Sequence, residues 1–406
     1  MLIKYEFLKI LRKKSTLIVM CFSLVLTAFL FGLPVLQYQT YNQDGVLKGR
    51  EAIAYDKEQY AEVTLTEDYI TGTILGVQQL FENPDNVGYD GNEKFLIGDA
   101  YWNEIAPREH LLNIIAKTYD SPNENSGYSR FSDFDITDGA NFYEARKTKI
   151  KKLLDTPSRE LSEKQKEYWS HMAGRVSTPL QYGYFKGWEI IISSFELLMF
   201  AVLAVCIVLA PVFSGEYQSG TDAVILSGRY GKTKLIKAKI LASYLFGFLA
   251  FTLHIAVAFG LPLAAFGTDG WELPVQIANT VIPYPFTFLR TVLVNTGVIY
   301  LILFAMISLT LLLSSVMKTP YPVLIILVPV LFIPVFLTPD GTAGVYNLTL
   351  FLLPYRAAMP EIGKYISYQF GGVVMDAFLA RAILYTVLTV VLLPFAGMGF
   401  KNHQVV

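Results

Sequence analysis

The chain has 406 residues, of which 53% are hydrophobic, and its 33 basic and 34 acidic residues give a net charge of −1. Soluble domains are about 45–50% apolar, so the excess is small, but most of it lies outside residues 37–187. This unevenness indicates a membrane protein with one large polar insertion. The charge balance gives no support to nucleic-acid binding. Cys21 and Cys206 both lie in apolar stretches, so no disulfide or cysteine metal cluster is expected in the insertion.

Residues 1–36 are predicted to form an interfacial helix followed by the first transmembrane helix. Residues 1–15 alternate apolar and basic side chains at helical spacing, which is typical of a helix lying on the inner leaflet. From Thr16 to Leu36 the chain is almost wholly apolar and long enough for one crossing. A secretion signal also begins with basic and then apolar residues. Here the apolar run is too long and no cleavage site follows closely, so we expect a retained span.

Residues 37–187 form the predicted extracellular domain, which contains 17 basic and 24 acidic residues. Turn sequences divide it, and the periodicity between them predicts helices at 51–60, 109–119, 141–154 and 162–172. We expect a mostly helical domain that enters the membrane through an aromatic belt at Tyr182–Trp188. Its acidic balance fits either the capture of cationic peptides or a solvated surface. His110 and His171 are isolated, so nothing indicates an extracellular enzyme.

Residues 188–406 are predicted to contain transmembrane helices 2–6. The apolar stretches are 189–212, 235–266, 286–317, 321–337 and 378–400. Among the short segments, the N-terminus, the loop 213–239 and positions 318 and 401 contain twelve Lys and Arg residues, whereas 267–285 contains none and 339–377 contains Arg356 and Lys364. Because basic residues accumulate in cytoplasmic segments, we expect both termini in the cytoplasm of a bacterial cell and the insertion outside it.

The segment 339–377 is apolar but interrupted by prolines and glycines. Its stretch from Leu350 to Tyr355 is too apolar for an aqueous loop and too short to cross a membrane. Backbone at membrane depth must satisfy its own hydrogen bonds, which favours two short re-entrant helices over a plain external loop.

The loop 213–239, FSGEYQSGTDAVILSGRYGKTKLIKAK, begins with one acid and ends in a basic run. Its Gly231-Lys232-Thr233 is similar to the end of a phosphate-binding loop. That motif requires a glycine where Leu226 stands, and no buried strand precedes it. The chain therefore lacks an ATP site of this kind, and we expect it to bind no cofactor of its own.

The same loop resembles the first cytoplasmic loop of ABC-2 family permeases. In that family a Glu, a Gly-Thr pair, a Leu-Ser pair, an Arg and a Lys form a short coupling helix. The matching residues here are Glu216, Gly220, Thr221, Leu226, Ser227, Arg229 and Lys239. Gly228 stands where proline is usual, which affects the turn geometry. The wider layout also resembles this family, and the stretch Tyr182–Trp188 is similar to Gram-positive permeases linked to peptide export or bacteriocin self-protection.

The resemblance implies an all-α membrane protein with the ABC-2 exporter fold, six transmembrane helices and no bond chemistry of its own. It implies two cytoplasmic ABC ATP-binding subunits, a second permease copy or paralogue, and an amphipathic peptide or lipid-like substrate, including antimicrobial peptides. Glu216 and Arg229 are expected to offer ion-pair contacts to the ATPase. One alternative is a basic loop held by anionic lipid. Another is a sensor or scaffold whose ectodomain binds a ligand and signals through this loop without transport.

Four polar residues inside the predicted spans are further candidates. Glu196 follows Glu189 by seven residues and so shares its helix face, His254 lies in the middle of the third span, and Arg290 and Asn295 open the fourth. They form either a proton or ion relay or a set of structural contacts. In the second interpretation Glu196 and His254 bond each other or the backbone, and Arg290 extends to the outer headgroups.

Overall fold

The computed structural model describes residues 1–91, 93–121, 124, 126–135, 138–228 and 230–403. The chain begins with α1 (Leu2–Leu11) and α2 (Lys14–Leu36). Lys13 has an extended backbone, so the chain changes direction between them. The helix predicted in residues 1–15 and the first apolar helix are therefore both present.

The insertion is built mainly of helices, with short antiparallel ribbons between them. Its elements are β1 (Gln39–Asn42), β2 (Gly45–Lys48), α3 (Gly49–Gln59), β3 (Val63–Leu65), α4 (Glu67–Glu82), β4 (Val87–Asp90), β5 (Glu93–Leu96), α5 (Glu109–Tyr119), α6 (Phe142–Leu154), α7 (Glu163–Gly174) and β6 (Leu180–Tyr182). The ribbons pair β1 with β2, β4 with β5, and β3 with β6. The four helices predicted from periodicity correspond to α3, α5, α6 and α7.

Buried apolar residues explain why these helices form. On α5, Leu111, Leu112 and Ile115 are fully buried and define one apolar face. Helix α7 begins with a capping box in which Ser162 and Gln165 bond each other's backbone. Helix α4 was not predicted, although the Thr66 hydroxyl caps its first turn.

The described residues after the insertion form mainly apolar helices, with a hairpin between the last two. The elements are α8 (Lys186–Ser193), α9 (Met199–Leu209), α10 (Pro211–Gln218), α11 (Asp222–Ser227), α12 (Ile236–Phe266), α13 (Phe288–Val316), α14 (Pro320–Phe336), α15 (Gly344–Leu350), α16 (Pro354–Ala357), β7 (Ser367–Phe370), β8 (Val373–Asp376) and α17 (Ala377–Lys401).

Within the part of the chain that the structure describes, five helical stretches are long and apolar enough to cross a membrane. They are Lys14–Leu36, Phe195–Gln218, Gly231–Phe266, Phe288–Val316 and Ala377–Lys401. Helix α14 is apolar but has 17 residues, so the count of six spans stays a prediction. The chain is an all-α membrane protein, as the sequence predicts.

The second span differs from its predicted bounds of 189–212. Helix α8 ends at Ser193, because Ser194 leaves the helical conformation, and the apolar stretch then runs from Phe195 to Gln218. In its most apolar window 72% of the residues are buried, against 22% for the spans formed by α2 and α17. This second span is therefore central to the bundle, and its end includes Glu216.

The predicted aromatic belt is wrong, because these side chains are buried in protein. Tyr182, Tyr184, Phe185 and Trp188 are between 1% and 7% exposed. The Phe185 ring stacks on Phe288 with centroids 4.7 Å apart. The stretch thus packs the insertion against α13. A lipid-facing belt would instead expose its rings.

The segment 339–377 contains two short helices, α15 and α16, followed by the hairpin β7–β8. The helices agree with the prediction for this segment, but the hairpin was missed. Its register pairs Phe370 with Val373 around Gly371-Gly372, and a two-glycine turn between β-forming residues is a known hairpin signal. Placement of the segment at membrane depth stays a prediction.

Candidate functional site

The loop 213–239 is more helical than the sequence indicated. Helix α10 extends to Gln218, and Gly220 then turns the chain with φ +67°, a conformation that favours glycine. Helix α11 follows, and a π-helical turn at Gly231–Leu235 leads into α12. The predicted short helix is therefore present as α11, held between the ends of two long apolar helices.

Four charged side chains of α1, α10 and α12 form a compact group, which we call the ionic cluster: Glu6, Lys9, Glu216 and Lys239. The Glu216 carboxylate lies 2.5 Å from the Lys9 ammonium and 2.7 Å from that of Lys239. Lys239 also lies 2.9 Å from Glu6. The Thr221 hydroxyl donates to the second oxygen of Glu216 at 2.5 Å. The ionic cluster thus joins α1, α10 and α12.

The cluster overturns the expectation that Glu216 faces an ATPase. Glu216 is 5% exposed and Lys239 2%, and both are fully engaged with each other and with α1. A buried ion pair persists only when its remaining bonding capacity is satisfied. Thr221 and Glu6 meet that requirement here. These residues therefore fix how α1, α10 and α12 meet, and a partner would have to bind elsewhere on the loop.

The other described residues of the resemblance each have a definite place. Gly220 forms the turn, and Leu226 is buried and anchors α11. The Ser227 hydroxyl donates to the Val224 carbonyl at 3.0 Å and closes the helix. Arg229 lies outside the described residues.

The exposed side of the loop is apolar and cationic. Val224 is 75% exposed at the tip of α11, and Lys232, Lys234 and Lys237 are exposed along the following turn. The Lys234 ammonium lies 4.5 Å from the Tyr230 ring centroid. We call Val224 and these three lysines the exposed face.

Phe400 and His403 also contact this loop, which no sequence pattern predicted. His403 lies 3.4 Å from the buried Asp222 carboxylate, and its ring stacks on Tyr217 at 4.0 Å. Phe400 packs against Phe213 at 4.8 Å. Helix α17 therefore supports the far side of α11.

A family model described as ABC-2 family transporter protein matches residues 1–396. The chain belongs to this family. The comparisons with curated proteins and with solved structures give no match. Membership and the apolar helices make it a multi-pass membrane protein and the membrane permease component of an ABC transporter, as the loop 213–239 indicated.

The polar residues inside the spans of this permease are not brought together. His254 is fully buried and bonds Ser23 at 2.9 Å and the Ala250 carbonyl at 2.8 Å. Among the described residues it makes no hydrogen bond with Glu196, so the proposed pairing of the two is wrong. The backbone contact predicted as its alternative is present for His254.

The other two candidates, Arg290 and Asn295, lie near the start of α13. Asn295 is fully buried, and its amide donates to the Ala358 carbonyl at 2.8 Å. Arg290 is exposed, with its guanidinium 4.5 Å from the Phe286 ring centroid. A relay would need these groups within hydrogen-bond reach of one another, and among the described residues no hydrogen bond joins any two of them.

One buried cation of the permease was missed by sequence reasoning. Arg381, on α17, is fully buried and donates to the backbone carbonyls of Met359 at 2.8 Å, Phe351 at 3.1 Å and Arg356 at 3.5 Å. It thus holds the segment around α16 against α17. The signal was present, because an ionisable residue within an apolar span is functional or structural by default.

Proposed function

We propose that this permease is the membrane-spanning part of an ATP-driven exporter whose energy comes from two cytoplasmic ABC ATP-binding subunits. A second permease copy or a paralogue would complete the pathway. Family membership supports the class of transporter. The distribution of basic residues supports the orientation, with both termini and the exposed face in the cytoplasm.

The observation that carries this proposal is the combination of an exposed tip with a rigid base. Val224 extends from α11, whereas Leu226 and Asp222 on the same helix are buried. The ionic cluster joins α1, α10 and α12 at the base of the loop. Force applied at the tip would therefore move α10 and α12 together, which is what coupling of ATP binding to transport requires.

Binding of the loop to anionic lipid explains less of this geometry. Lipid headgroups attract Lys and Arg whatever their local fold, so they need neither the Gly220 turn nor an exposed valine at a helix tip. A protein groove that accepts an apolar side chain flanked by cations uses both features.

For the cargo we propose an amphipathic peptide or lipid-like molecule, with antimicrobial peptide export or self-immunity as the biological setting. The segment 339–377 supports this class of cargo, since it exposes the apolar side chains of Val345, Tyr346, Phe370 and Val373.

Co-expression with the ATP-binding subunit encoded nearest to the permease gene tests the proposal. We expect the two proteins to copurify and the permease to alter ATP hydrolysis. Lys232→Glu and Val224→Asp should each reduce that effect about tenfold, equivalent to about 1.4 kcal/mol of coupling. Lys318→Glu makes the same charge change at an exposed position away from the exposed face and should leave ATP hydrolysis unaltered. Equal effects of Lys232→Glu and Lys318→Glu would contradict docking at α11.

One observation favours the alternative of a non-transporting sensor. The insertion bonds directly to the loop between α12 and α13 and to the hairpin β7–β8, so a ligand bound outside would have a route into the bundle. A sensor predicts that no ATP-binding subunit copurifies and that ATP hydrolysis is independent of the permease.

A further inference from the structure

The insertion meets two other segments at one place. Its Arg146 is 4% exposed and donates to the Thr280 carbonyl at 2.7 Å, in the loop between α12 and α13. The hydroxyls of Thr118 and Thr280 lie 2.8 Å apart. Arg159 donates to the Lys364 carbonyl at 2.9 Å, in the segment between α16 and β7. We call this meeting of the insertion, the 267–287 loop and the 339–377 segment the three-segment junction.

Aromatic packing makes the junction well defined. The Trp169 ring is fully buried, with the rings of Tyr284 and Tyr365 each 5.5 Å from it in edge-on contact. Its indole N–H donates to the Ser367 hydroxyl at 3.1 Å. One residue from each of the three segments thus contributes to a single aromatic group.

A cavity of about 360 Å³ opens at the junction and is walled by all three segments. Its charged lining consists of Lys117, Lys149, Arg159 and Glu124. Volumes of about 300–1,000 Å³ are typical of small-molecule sites, so the cavity suits a ligand of a few residues or a comparable metabolite.

The lining is cationic within an acidic domain. Three basic groups face one carboxylate, and that carboxylate, Glu124, is already 3.4 Å from Arg130. Among the described residues, none of Lys117, Lys149 and Arg159 has a carboxylate within 4.0 Å. Burial lowers the pKa of Lys149 and of Arg159. The Lys149 ammonium donates to the Lys117 carbonyl, and one carboxylate does not neutralise three cations, so the lining attracts an anion.

The cations are arranged to hold such an anion. Arg159 uses one N–H on Lys364, and its guanidinium carbon lies 5.3 Å from the Tyr365 ring centroid. Its other N–H groups have no hydrogen-bond partner among the described residues. A planar guanidinium on an aromatic face, with lysines beside it, is suited to a carboxylate or a phosphate.

We propose that this cavity binds an anionic group, a carboxylate or phosphate carried by a small ligand, and that its occupancy holds the three segments together. The proposal assigns a ligand site to an insertion whose overall charge points to cations. It does not depend on ATP coupling, because it rests on the junction alone.

Titration of the purified full-length permease in lipid nanodiscs tests this site. The probes are inorganic phosphate, acetyl-glycylalanine with a free carboxylate, and the same dipeptide as its C-terminal amide, all at constant ionic strength. The readouts are the thermal midpoint and hydrogen exchange of Ser367–Phe370. We expect saturable stabilisation and slower exchange with phosphate or with the free dipeptide, and none with the amide. Which of the two anions binds more tightly identifies the ligand chemistry.

Charge-matched variants distinguish the cavity from a general salt effect. Because Lys117 is exposed, the Lys117→Gln variant should fold normally. Lys117→Gln and Lys149→Gln should each weaken anion binding about tenfold. Lys152→Gln removes one charge from the exposed side of the same helix as Lys149 and should bind as the unaltered protein does. Anion effects that never saturate, or that fall equally in Lys117→Gln and Lys152→Gln, would overturn the proposal. Neither result bears on copurification with an ATP-binding subunit.

Discussion

The Lys239 ammonium lies 2.7 Å from the Glu216 carboxylate, and neither side chain is more than 7% exposed. This pair joins the start of α12 to the end of α10, and Lys9 extends it to α1. Any movement of α11 relative to the bundle must preserve or rearrange these contacts. The pair is therefore the structural link between the exposed face and the spans.

Glu216→Gln should destabilise the permease strongly. The change leaves Lys239 buried with Glu6 alone, and removing one partner of a buried pair costs about 3–5 kcal/mol. Thermal and denaturant unfolding in detergent measure the loss. Lys57→Gln is the matched control, because its pair with Asp269 is about half exposed and such pairs contribute about 0–1 kcal/mol. Equal losses in the two variants would show that Glu216 is not stabilised by the ionic cluster.

Local patterns predicted much of this fold. The apolar periodicity of residues 109–119 corresponds to α5, and the long apolar stretches correspond to the observed helices within a few residues, apart from the second span. Such features depend on neighbours in the sequence. The role of Glu216 depends on Lys239, 23 residues away, and on Lys9, 207 residues away. The resemblance to ABC-2 permeases singled out Glu216 but could not show that it faces inward.

The three-segment junction was beyond sequence reasoning for the same physical reason. Arg146 is one of many basic residues in the insertion, and nothing local distinguishes it from the exposed Lys147. Its burial arises because the 267–287 loop presents the Thr280 carbonyl to it. The domain's net charge likewise conceals a cavity in which three cations meet one acid.

Arg381→Met should loosen the segment around α16. The variant removes donors to the carbonyls of Phe351 and Met359, and hydrogen bonds to charged groups contribute about 1.5–3 kcal/mol each. We expect faster hydrogen exchange across residues 350–360, with Arg381→Lys intermediate because one ammonium cannot reach both carbonyls. Arg290→Met, which removes an exposed cation, should not change exchange there. Unchanged exchange in Arg381→Met would contradict this role.

Ser367→Ala should weaken the contact between the insertion and the hairpin β7–β8. The Ser367 hydroxyl accepts from the Trp169 indole N–H at 3.1 Å and from the Gln165 amide at 3.1 Å. Its loss leaves a buried donor unsatisfied, which costs about 1–3 kcal/mol. Thermal unfolding measures the effect, and Ser158→Ala, at an exposed position, provides the comparison. A stability change no larger than that of Ser158→Ala would argue against the contact.

His110 should make the insertion less stable in mild acid. Burial lowers the pKa of His110 to about 4, and its ring bonds the Tyr182 hydroxyl at 3.0 Å, whereas an unfolded histidine titrates near 6.5. Between these values the unfolded chain binds more protons, so stability is fully present above about pH 6.5 and falls as the pH decreases to about 4, by at most about 3 kcal/mol. Unfolding followed across this range in the unaltered protein and in His110→Asn measures the difference, because the variant lacks the titrating group and should show a flatter profile. His171→Asn removes an exposed histidine and should keep the original slope; a slope equally reduced in both variants would mean that His110 is not the group responsible.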